Sequence, residues 1–377
     1  MTATARKQIS MLVPALPPRL DGIGDYSAIV ASGLAVHHDV TLIVKDQEPA
    51  AAAVKGVATI AKFASSHPKA ILQVRDTIMQ KQSQGLLVQY NPFSYGRRGL
   101  NPWLPVVLRR IAAAGIRIGV MAHETFVVNG SPAWRVIGRL QRMQLRAIVR
   151  TCTVSYTSCD RYRDHVLSVA PGSPVRVMPI GSNIPRIDAQ RQSEKARLGI
   201  PPSTTVLGMF GTTQSGVQPA FIGEAIRRCR DAGHEVVLLY VGSQGGRLRD
   251  HVPANGLMDL GRLEPTDVSR ALTAMDIYLA TFDDGISTRR GTVMAALQHG
   301  ATLVGTIGKN TDALWRTEDG TSVVLAPADN AGAFSSAVLS LVTDGRRAAT
   351  MGASGTALYH RMFDWPHTVT ATTSFME

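Results

Sequence analysis

The feature that most constrains the fold is an alternation of short apolar runs with amphipathic segments, repeated in both halves of the chain. In the first half we predict strands at 9–16, 40–44, 85–89, 116–121 and 152–155, and helices at 25–36, 103–114 and 133–149. In the second half we predict strands at 205–210, 235–241, 258–260, 277–280, 302–304 and 322–325, and a helix at 220–232. Strands that alternate with helices form βαβ units, so each half predicts a doubly wound α/β domain with a parallel sheet.

The length supports two domains, because the 377 residues exceed the roughly 250–300 that one hydrophobic core usually serves. Residues 180–202 are rich in proline, serine and charge, which indicates a hinge between the halves. We therefore expect an N-terminal domain at 1–185 and a C-terminal domain at 186–355. Two doubly wound domains would face each other across a cleft, with ligands at the carboxyl ends of the strands.

Composition indicates a cytoplasmic protein. No apolar run reaches the roughly 18 residues that a membrane span needs, and the N-terminal MTATARKQIS lacks the apolar core of a signal peptide. The three cysteines show no metal-ligand spacing and are typical of small buried side chains in a reducing compartment. We therefore expect neither a metal site nor a disulfide framework.

The positive charge is confined to one half. Residues 1–185 contain 22 Lys and Arg against 9 Asp and Glu, whereas residues 186–377 contain 18 against 19. A basic domain beside a neutral one indicates an anionic partner, such as a membrane surface, a phosphorylated acceptor or nucleic acid. Nucleic acid is disfavoured because no recognised binding motif accompanies the charge.

Much of this charge lies on one predicted helix. Five arginines follow one another at spacings of 4, 3, 4 and 4 and therefore share a face: Arg135, Arg139, Arg142, Arg146 and Arg150. That face is either a solvated surface or an interfacial helix that contacts anionic lipid. Arg97, Arg98, Arg109 and Arg110 are expected to extend the patch.

Two loops of the first half are candidates for ligand contact. Gly22 and Gly24 follow the first strand and allow close backbone approach at a helix N-terminus. The alternative is a tight strand–helix turn in which Asp25 caps the helix. His123, directly after the strand at 116–121, either donates a hydrogen bond or transfers a proton at the cleft, or has a structural role.

The second half contains the strongest candidate for an anion site, the run DDGISTRRGTVMAALQHGATLVG from Asp283 to Gly305. A strand, a polar loop and a helix N-terminus place Ser287, Arg289, Arg290, Gly291 and Thr292 where a helix dipole favours negative charge. The alternative is a surface loop with a solvated arginine pair. The glycine loop after the strand at 205–210, with Gly211 and Thr212, would lie opposite and lacks a basic side chain.

Together these segments resemble the retaining glycosyltransferases of the GT-B fold, especially glycosyltransferase family 4, over nearly the whole chain. The resemblance is carried by GIGDYSAIVASGLAVHHDVTLI, AHE, TVSYTSCDRYRDHV, VMPIGSNIP, VLGMFGT, YVGSQGGRLRD, GRLEPTDVSRALTAMDIYLA and HRMFDWPHTVTATT. It implies two Rossmann-like domains and, at 356–377, a C-terminal helix that crosses back to the N-terminal domain. It also implies retention of anomeric configuration without an obligatory metal or cofactor.

The resemblance assigns roles to individual residues. Gly24 would approach the donor diphosphate, His123 would contact the transferred sugar, and Leu263 would offer backbone hydrogen bonds to the base. The loop from Ser287 to Thr292 would hold ribose and diphosphate. The expected donor site thus comprises Gly22, Gly24, Gly211, Thr212, Leu263, Ser287, Arg289, Arg290, Gly291 and Thr292. The expected acceptor or membrane patch comprises Asp25, Arg97, Arg98, Arg135, Arg139, Arg142 and Arg146.

This chain departs from the family pattern at the donor loop. Ser287 and Ala295 stand where the family usually has two glutamates, and Thr212 and Ser215 stand where it usually has basic residues. We hypothesise that Arg289 or Arg290 replaces the lost cations and that Ser287 or Thr292 replaces the lost acceptor groups.

The expected function is transfer of a sugar from a nucleotide-diphosphate donor to a saccharide or lipid-linked acceptor, with the protein cytoplasmic or peripheral at the inner face of the membrane. The alternative is a catalytically silent nucleotide-sugar-binding or scaffold subunit at a membrane surface.

Overall fold

The structure is a computed structural model that describes residues 6–377 apart from 20, 48–49, 64–67, 129, 213–215, 254 and the side chains of 59, 62 and 68. The chain divides into two compact units. Unit 1 comprises Met1–Pro179 and Trp365–Glu377, and unit 2 comprises Ile180–Asp364.

Unit 1 is built on a parallel sheet that has seven strands in the described part of the chain. Its elements up to residue 179 are β1 (Gln8–Val13), α1 (Gly22–Leu34), β2 (Asp39–Lys45), β3 (Thr59–Phe63), α2 (Gln73–Gln80), β4 (Gly85–Tyr90), α3 (Pro92–Tyr95), α4 (Trp103–Ala113), β5 (Arg117–Ala122), α5 (Pro132–Val149), β6 (Val154–Thr157), α6 (Asp160–Val169) and β7 (Val175–Val177). The strand order is β3-β2-β1-β4-β5-β6-β7, and Leu12 of β1 pairs with Ile43 of β2 and Val88 of β4.

Unit 2 repeats this scheme with six strands among its described residues. Its elements are α7 (Arg191–Arg197), β8 (Thr205–Phe210), α8 (Pro219–Asp231), β9 (Val236–Val241), α9 (Gly246–Arg249), β10 (Leu257–Asp259), α10 (Pro265–Ala274), β11 (Ile277–Ala280), α11 (Gly291–Gln298), β12 (Thr302–Ile307), α12 (Ala313–Thr317), β13 (Val323–Pro327), α13 (Ala331–Thr343) and α14 (Gly345–Met362). All pairs are parallel, in the order β10-β9-β8-β11-β12-β13.

Both sheets confirm the predicted doubly wound α/β class. In each sheet the strand order reverses beside the first strand, between β1 and β4 in unit 1 and between β8 and β11 in unit 2. Crossover connections leave the sheet in opposite directions at such a point and open a crevice at the carboxyl ends of the strands. Each unit therefore has one favoured position for a ligand.

The chain ends in unit 1 with helix α15 (Trp365–Thr372) and a 3-10 turn at Thr373–Met376. A methyl group on Gly119 of β5 would lie 2.9 Å from Phe375 Cγ, so the glycine leaves room for the buried ring. Tyr156 Oη and Ser374 Oγ are hydrogen-bonded at 2.8 Å. These contacts attach the returning segment to the sheet of unit 1.

The unit boundaries differ slightly from the sequence-based divisions at 185/186 and 355/356. Ile184 already lies in the core of unit 2, and α14 continues to Met362 because Leu358 and Tyr359 are buried in that same core. The boundaries follow these buried side chains.

The segment 180–202, expected to be a hinge, contains helix α7 and belongs to unit 2. Its Lys195 is 3% exposed and lies 2.6 Å from Asp276 Oδ2, and its buried Glu194 accepts from Arg197 and Arg270. Buried charges are tolerated when they are paired, so this charge-rich segment packs as a helix. No helix of the described residues is long and apolar enough to span a bilayer.

Candidate functional site

Unit 2 has a cavity of about 220 Å³ where β8 and β11 end and α11 begins. This is the point at which the strand order reverses, so the position is the one that the topology favours. Residues expected at the donor site contribute much of its wall: Thr212, Arg289, Arg290, Gly291 and Thr292. The structure therefore brings the loop after β8 together with the arginine loop before α11, as the sequence predicted.

Close packing sets the distance between these two loops. Gly211 has φ +106°, and a methyl group at this position would lie 2.8 Å from Thr292 Cγ2. Two buried tyrosines fix the backbone of the same loop. Tyr240 Oη donates to the Gly211 carbonyl at 2.7 Å, and Tyr278 Oη donates to the Phe210 carbonyl at 3.1 Å. Glycine is needed here for both conformation and space.

The two arginines of the site are paired with a carboxylate of their own loop. Arg290 Nη2 donates to Asp284 Oδ1 at 2.9 Å, and Arg289 Nη2 lies 4.0 Å from Asp284 Oδ2. The Arg290 guanidinium also lies over the Phe282 ring, 4.0 Å from its centroid. The sequence predicted two cations open to an anion. In the structure, Asp284 would compete with an incoming anion for both guanidinium groups.

Asp284 remains ionised under ordinary conditions. Burial raises the pKa of this carboxyl, but the hydrogen bond from Asn310 and the charges of Arg290 and Arg289 outweigh burial and hold the pKa below its usual value. Asn310 Nδ2 donates to Asp284 Oδ2 at 2.8 Å, so a neutral donor helps to fix Asp284 beside the arginines. An incoming anion would meet a cluster of one carboxylate and two guanidinium groups, whose net charge is one positive charge and not two.

The first part of the arginine loop is turned inward. Ser287 and Thr288 are each 2% exposed, and the Thr288 hydroxyl donates to Asp312 Oδ2 at 2.9 Å. Ala295, on the inner face of α11, is buried in the core. Neither Ser287 nor Ala295 lines the cavity, whereas Thr292 does.

One polar group of the cavity was not predicted from the sequence. Thr281 directly follows β11, lines the cavity and is 1% exposed, and its hydroxyl has no hydrogen-bond partner among the described residues. A buried hydroxyl without a partner is costly in a folded protein. Such a group in the wall of the cavity is consistent with a ligand that completes the site.

Other expected donor residues lie elsewhere or outside the described residues. Leu263 follows β10 near the edge of the sheet, with its side chain partly buried against the core. Ser215 belongs to the segment 213–215, outside the described residues.

His123 of unit 1 lies at the end of β5, beside the point where the strand order reverses. Its Nε2 is 2.8 Å from Oε1 of the fully buried Gln89 on β4, and its ring packs edge-on against Tyr26 of α1 at 4.9 Å between centroids. Burial lowers the pKa of His123 to about 3. His123 is therefore neutral at physiological pH. It can form hydrogen bonds, but it is not protonated to act as a general acid.

The N-terminus of α1 is capped by Asp21, not by Asp25 as the sequence suggested. Asp21 Oδ1 accepts from the backbone N–H groups of Ile23 and Gly24, each at 2.9 Å. The correction arises because α1 begins at Gly22, three residues earlier than predicted, and Asp25 therefore lies in its first turn. Gly24 still marks a close approach, since a methyl group there would lie 3.0 Å from the Ala15 carbonyl oxygen.

The arginines expected to form a patch come together on unit 1. The outer face of α5 presents five exposed side chains, those of Arg135, Arg139, Arg142, Arg146 and Arg150. Gln141 on the inner face donates to the Arg98 carbonyl at 2.9 Å and so places the exposed Arg97 and Arg98 beside the helix.

Comparisons with known proteins identify the fold. No protein-family model matches this sequence, and no curated protein matches it. Among solved structures it is similar to sucrose-phosphate synthase from Thermosynechococcus elongatus, with 13% identity, 98% of each chain covered and a TM-score of 0.73. Anabaena HepE in complex with UDP-glucose is 14% identical, with 97% of this chain and 99% of that chain covered and a TM-score of 0.67.

A glycosyltransferase from Rickettsia africae is 12% identical and also has a TM-score of 0.73, with 99% of this chain and 98% of that chain covered. Likeness at such low identity shows the fold, which is the GT-B fold of two Rossmann-like domains. The sequence-based resemblance is therefore confirmed at the level of the fold.

Proposed function

We propose that this protein is a glycosyltransferase that moves a sugar from a nucleotide-diphosphate donor to a saccharide or lipid-linked acceptor. The observation that carries the proposal is the cavity at the N-terminus of α11, where two arginines and an unpartnered Thr281 hydroxyl surround a space of about 220 Å³. Structures with this fold include HepE bound to UDP-glucose. A helix N-terminus with guanidinium groups is suited to a diphosphate.

The cavity would stabilise the leaving diphosphate. As the glycosidic bond to the donor phosphate breaks, negative charge grows on the phosphate oxygens. Backbone N–H groups at Gly291 and Thr292 are preorganised to receive that charge, and the guanidinium groups of Arg289 and Arg290 would join them. Asp284 would release part of its hold on the arginines as the diphosphate binds. Arg289 is the first expected to turn, because its contact with Asp284 is the longer one, at 4.0 Å against 2.9 Å for Arg290.

His123 is proposed to orient the transferred sugar. If Gln89 Oε1 accepts the Nε2 proton, Nδ1 carries a lone pair and accepts a hydrogen bond from a sugar hydroxyl. A neutral ring suits this role at neutral pH. Retention of configuration would use the leaving phosphate as the base, which requires neither a protein nucleophile nor a metal; this part of the proposal rests on the family resemblance.

Donor binding is the first test. Thermal shifts would be measured with UDP-, GDP-, ADP- and dTDP-sugars, because a ligand that binds only the native state raises its stability. At about 100 times its dissociation constant the matching donor adds about 2.7 kcal/mol, a rise on the order of 5–10 °C for a unit of this size.

Arginine variants then test the site itself. Arg289→Ala should weaken binding of the matching donor about tenfold or more, as expected for a lost charge-assisted hydrogen bond. Arg227→Ala, an exposed arginine on α8, is the matched control. Unchanged donor affinity in both Arg289→Ala and Arg290→Ala would disprove the assignment.

A second candidate function is a catalytically silent nucleotide-sugar-binding subunit. It is favoured by Asp284, which offsets one of the two arginine charges, and by the absence of the family glutamates at Ser287 and Ala295. Donor hydrolysis and transfer measured with the purified protein separate the candidates. Tight donor binding without turnover on any acceptor supports the silent subunit, whereas release of nucleoside diphosphate supports the enzyme.

A further inference from the structure

The exposed face of α5 carries two parallel stripes of different chemistry. Each of four arginines directly precedes an apolar residue, in the pairs 135/136, 139/140, 142/143 and 146/147. Because consecutive residues of a helix are rotated by about 100°, the arginine stripe and the apolar stripe run side by side along the helix. The buried face, with Leu145 and Ile148, is a third and separate surface.

The apolar stripe lies in solvent. Relative exposures are 55% for Val136, 45% for Leu140 and 68% for Met143. Near the start of α5, Trp134 and Phe93 contact each other at 6.3 Å between ring centroids and are both exposed. Single exposed apolar residues are common on proteins, but a contiguous row of them beside aromatic side chains marks an interaction surface.

The arginine stripe is not neutralised by the protein. In the described part of the chain none of Arg135, Arg139, Arg146 and Arg150 forms an ion pair. Arg142 differs, because its guanidinium lies over the Phe126 ring at 4.5 Å. Between residues 77 and 159 the sequence has 11 Lys and Arg and only one acid, Glu124.

A groove of about 670 Å³ continues this surface between α4 and α5. Arg109, Arg146 and Arg150 line it together with Met143 and Ala147 of the apolar stripe. Guanidinium groups beside apolar side chains fit a headgroup phosphate next to the start of an acyl chain.

We infer that the outer face of α5 binds the surface of an anionic phospholipid bilayer, with the arginines at the phosphates and Val136, Leu140 and Met143 inserted among the acyl chains. An exposed apolar row favours lipid over nucleic acid, whose backbone contacts use charge and hydrogen bonds. The inference does not depend on the proposed glycosyl transfer, because every group it uses lies on unit 1.

Vesicle sedimentation with the full chain tests the inference. The vesicles are phosphatidylcholine alone or with about one third phosphatidylglycerol, at low salt and at about 0.5 M salt, where surface charges are screened. The charge variant is Arg135→Gln/Arg139→Gln/Arg146→Gln, the apolar variant is Val136→Ser/Leu140→Ser/Met143→Ser, and the matched charge control is Arg227→Gln/Arg346→Gln/Arg347→Gln, three exposed arginines of unit 2. All three leave the buried face of α5 intact.

Each variant has its own expected pattern. Each basic residue near an anionic surface contributes about fivefold to partitioning, so the charge variant should lose about 100-fold at low salt and little at high salt. The apolar variant should lose about tenfold at both salt concentrations, and the control less than twofold.

Several results would overturn the inference: wild-type partitioning by either α5 variant, an equal loss in the control, or equal binding to neutral vesicles. Binding to DNA or RNA with the same arginine dependence, without binding to vesicles, would overturn it as well. Donor-induced thermal shifts of the same variants should match the wild type. Vesicle sedimentation thus tests lipid binding, and the thermal shifts test the donor site, so a failure of one proposal can be told from a failure of the other.

Discussion

The substitution Asp284→Asn should destabilise unit 2 and at the same time strengthen donor binding. Asp284 holds Arg290 at 2.9 Å and Arg289 at 4.0 Å, and its side chain is 17% exposed. Asparagine keeps the volume of the side chain and can keep the contact with Asn310, but it removes the negative charge. Both arginines then lose their counter-charge and become available to an anionic ligand.

The stability loss can be estimated from the burial of the pair. Removing one partner of a buried ion pair costs about 3–5 kcal/mol. Here the arginines keep 24–29% of their side-chain exposure, and Arg290 keeps its contact with the Phe282 ring, which contributes about 1 kcal/mol. We therefore expect a loss of about 2–3 kcal/mol, or on the order of 5–10 °C in the melting temperature of the unit.

The gain in donor affinity follows from Coulomb's law. A diphosphate with two negative charges at about 7 Å from Asp284 is repelled by about 1–2 kcal/mol at an effective dielectric constant of about 40–80. Removing that repulsion should raise affinity for nucleoside diphosphate about tenfold. Stability and affinity therefore change in opposite directions.

Calorimetric unfolding without ligand and titration with the nucleoside diphosphate measure the two quantities. Asp283→Asn is the matched control, since Asp283 is its exposed neighbour and should change neither quantity appreciably. The low pKa of Asp284 also has a pH consequence: its contribution to stability is present above the unfolded pKa of about 3.9 and is lost as pH falls through the folded pKa. A wild-type melting temperature, or weaker binding in Asp284→Asn, would refute the reasoning.

Two further predictions concern histidines whose pKa is lowered by burial. Gln89→Leu removes the partner of His123 Nε2, so the ring loses its fixed orientation. We expect the rate of sugar transfer to fall about tenfold, whereas the donor KM should change less than twofold. A tenfold rise in the donor KM with an unchanged rate would contradict a positioning role. His299 is buried between Ser269 and the Ala295 carbonyl, and burial lowers its pKa to about 4. Below about pH 6.5 the unfolded chain binds a proton at His299 that the folded chain does not bind, so stability falls as pH drops from 6.5 towards 4. His299→Gln should remove about 2 kcal/mol of that decline, measured by urea unfolding followed by far-UV circular dichroism at several pH values. An unchanged dependence of stability on pH would contradict the prediction.

Hydrophobic periodicity predicted most of the sheet, because central strands are apolar along their whole length. β8 and β11 were predicted with the bounds that the structure has, and other central strands within a few residues. Periodicity missed β3 and β7, the edge strands of unit 1, because β7 is only VRV and the five residues of β3, TIAKF, include no uninterrupted apolar run of strand length. It also missed α7, since the pattern gave no sign that Lys195 would be neutralised by Asp276, 81 positions away in the chain.

Part of the candidate site could likewise be predicted from the sequence, and part could not. The order strand, polar loop, helix in the arginine segment located the cavity, because the topology of parallel sheets brings such loops to one edge. The two adjacent acids, Asp283 and Asp284, were visible beside the arginines, but nothing in the pattern indicates which of them turns inward. Thr281 and Gln89 are ordinary strand-end residues until burial makes their polar groups matter.

The sequence alone determined that this chain forms two doubly wound domains and that arginines stand before a helix in the second and along a helix in the first. These properties depend on local periodicity and on residue type. Only the tertiary structure decided that Asp284 pairs with the arginines before α11 and that, among the described residues, no carboxylate pairs with the α5 arginines beside the exposed apolar row. The physical reason is that the behaviour of a charge depends on its distance to other charges and on its burial, and both are set by packing between distant segments.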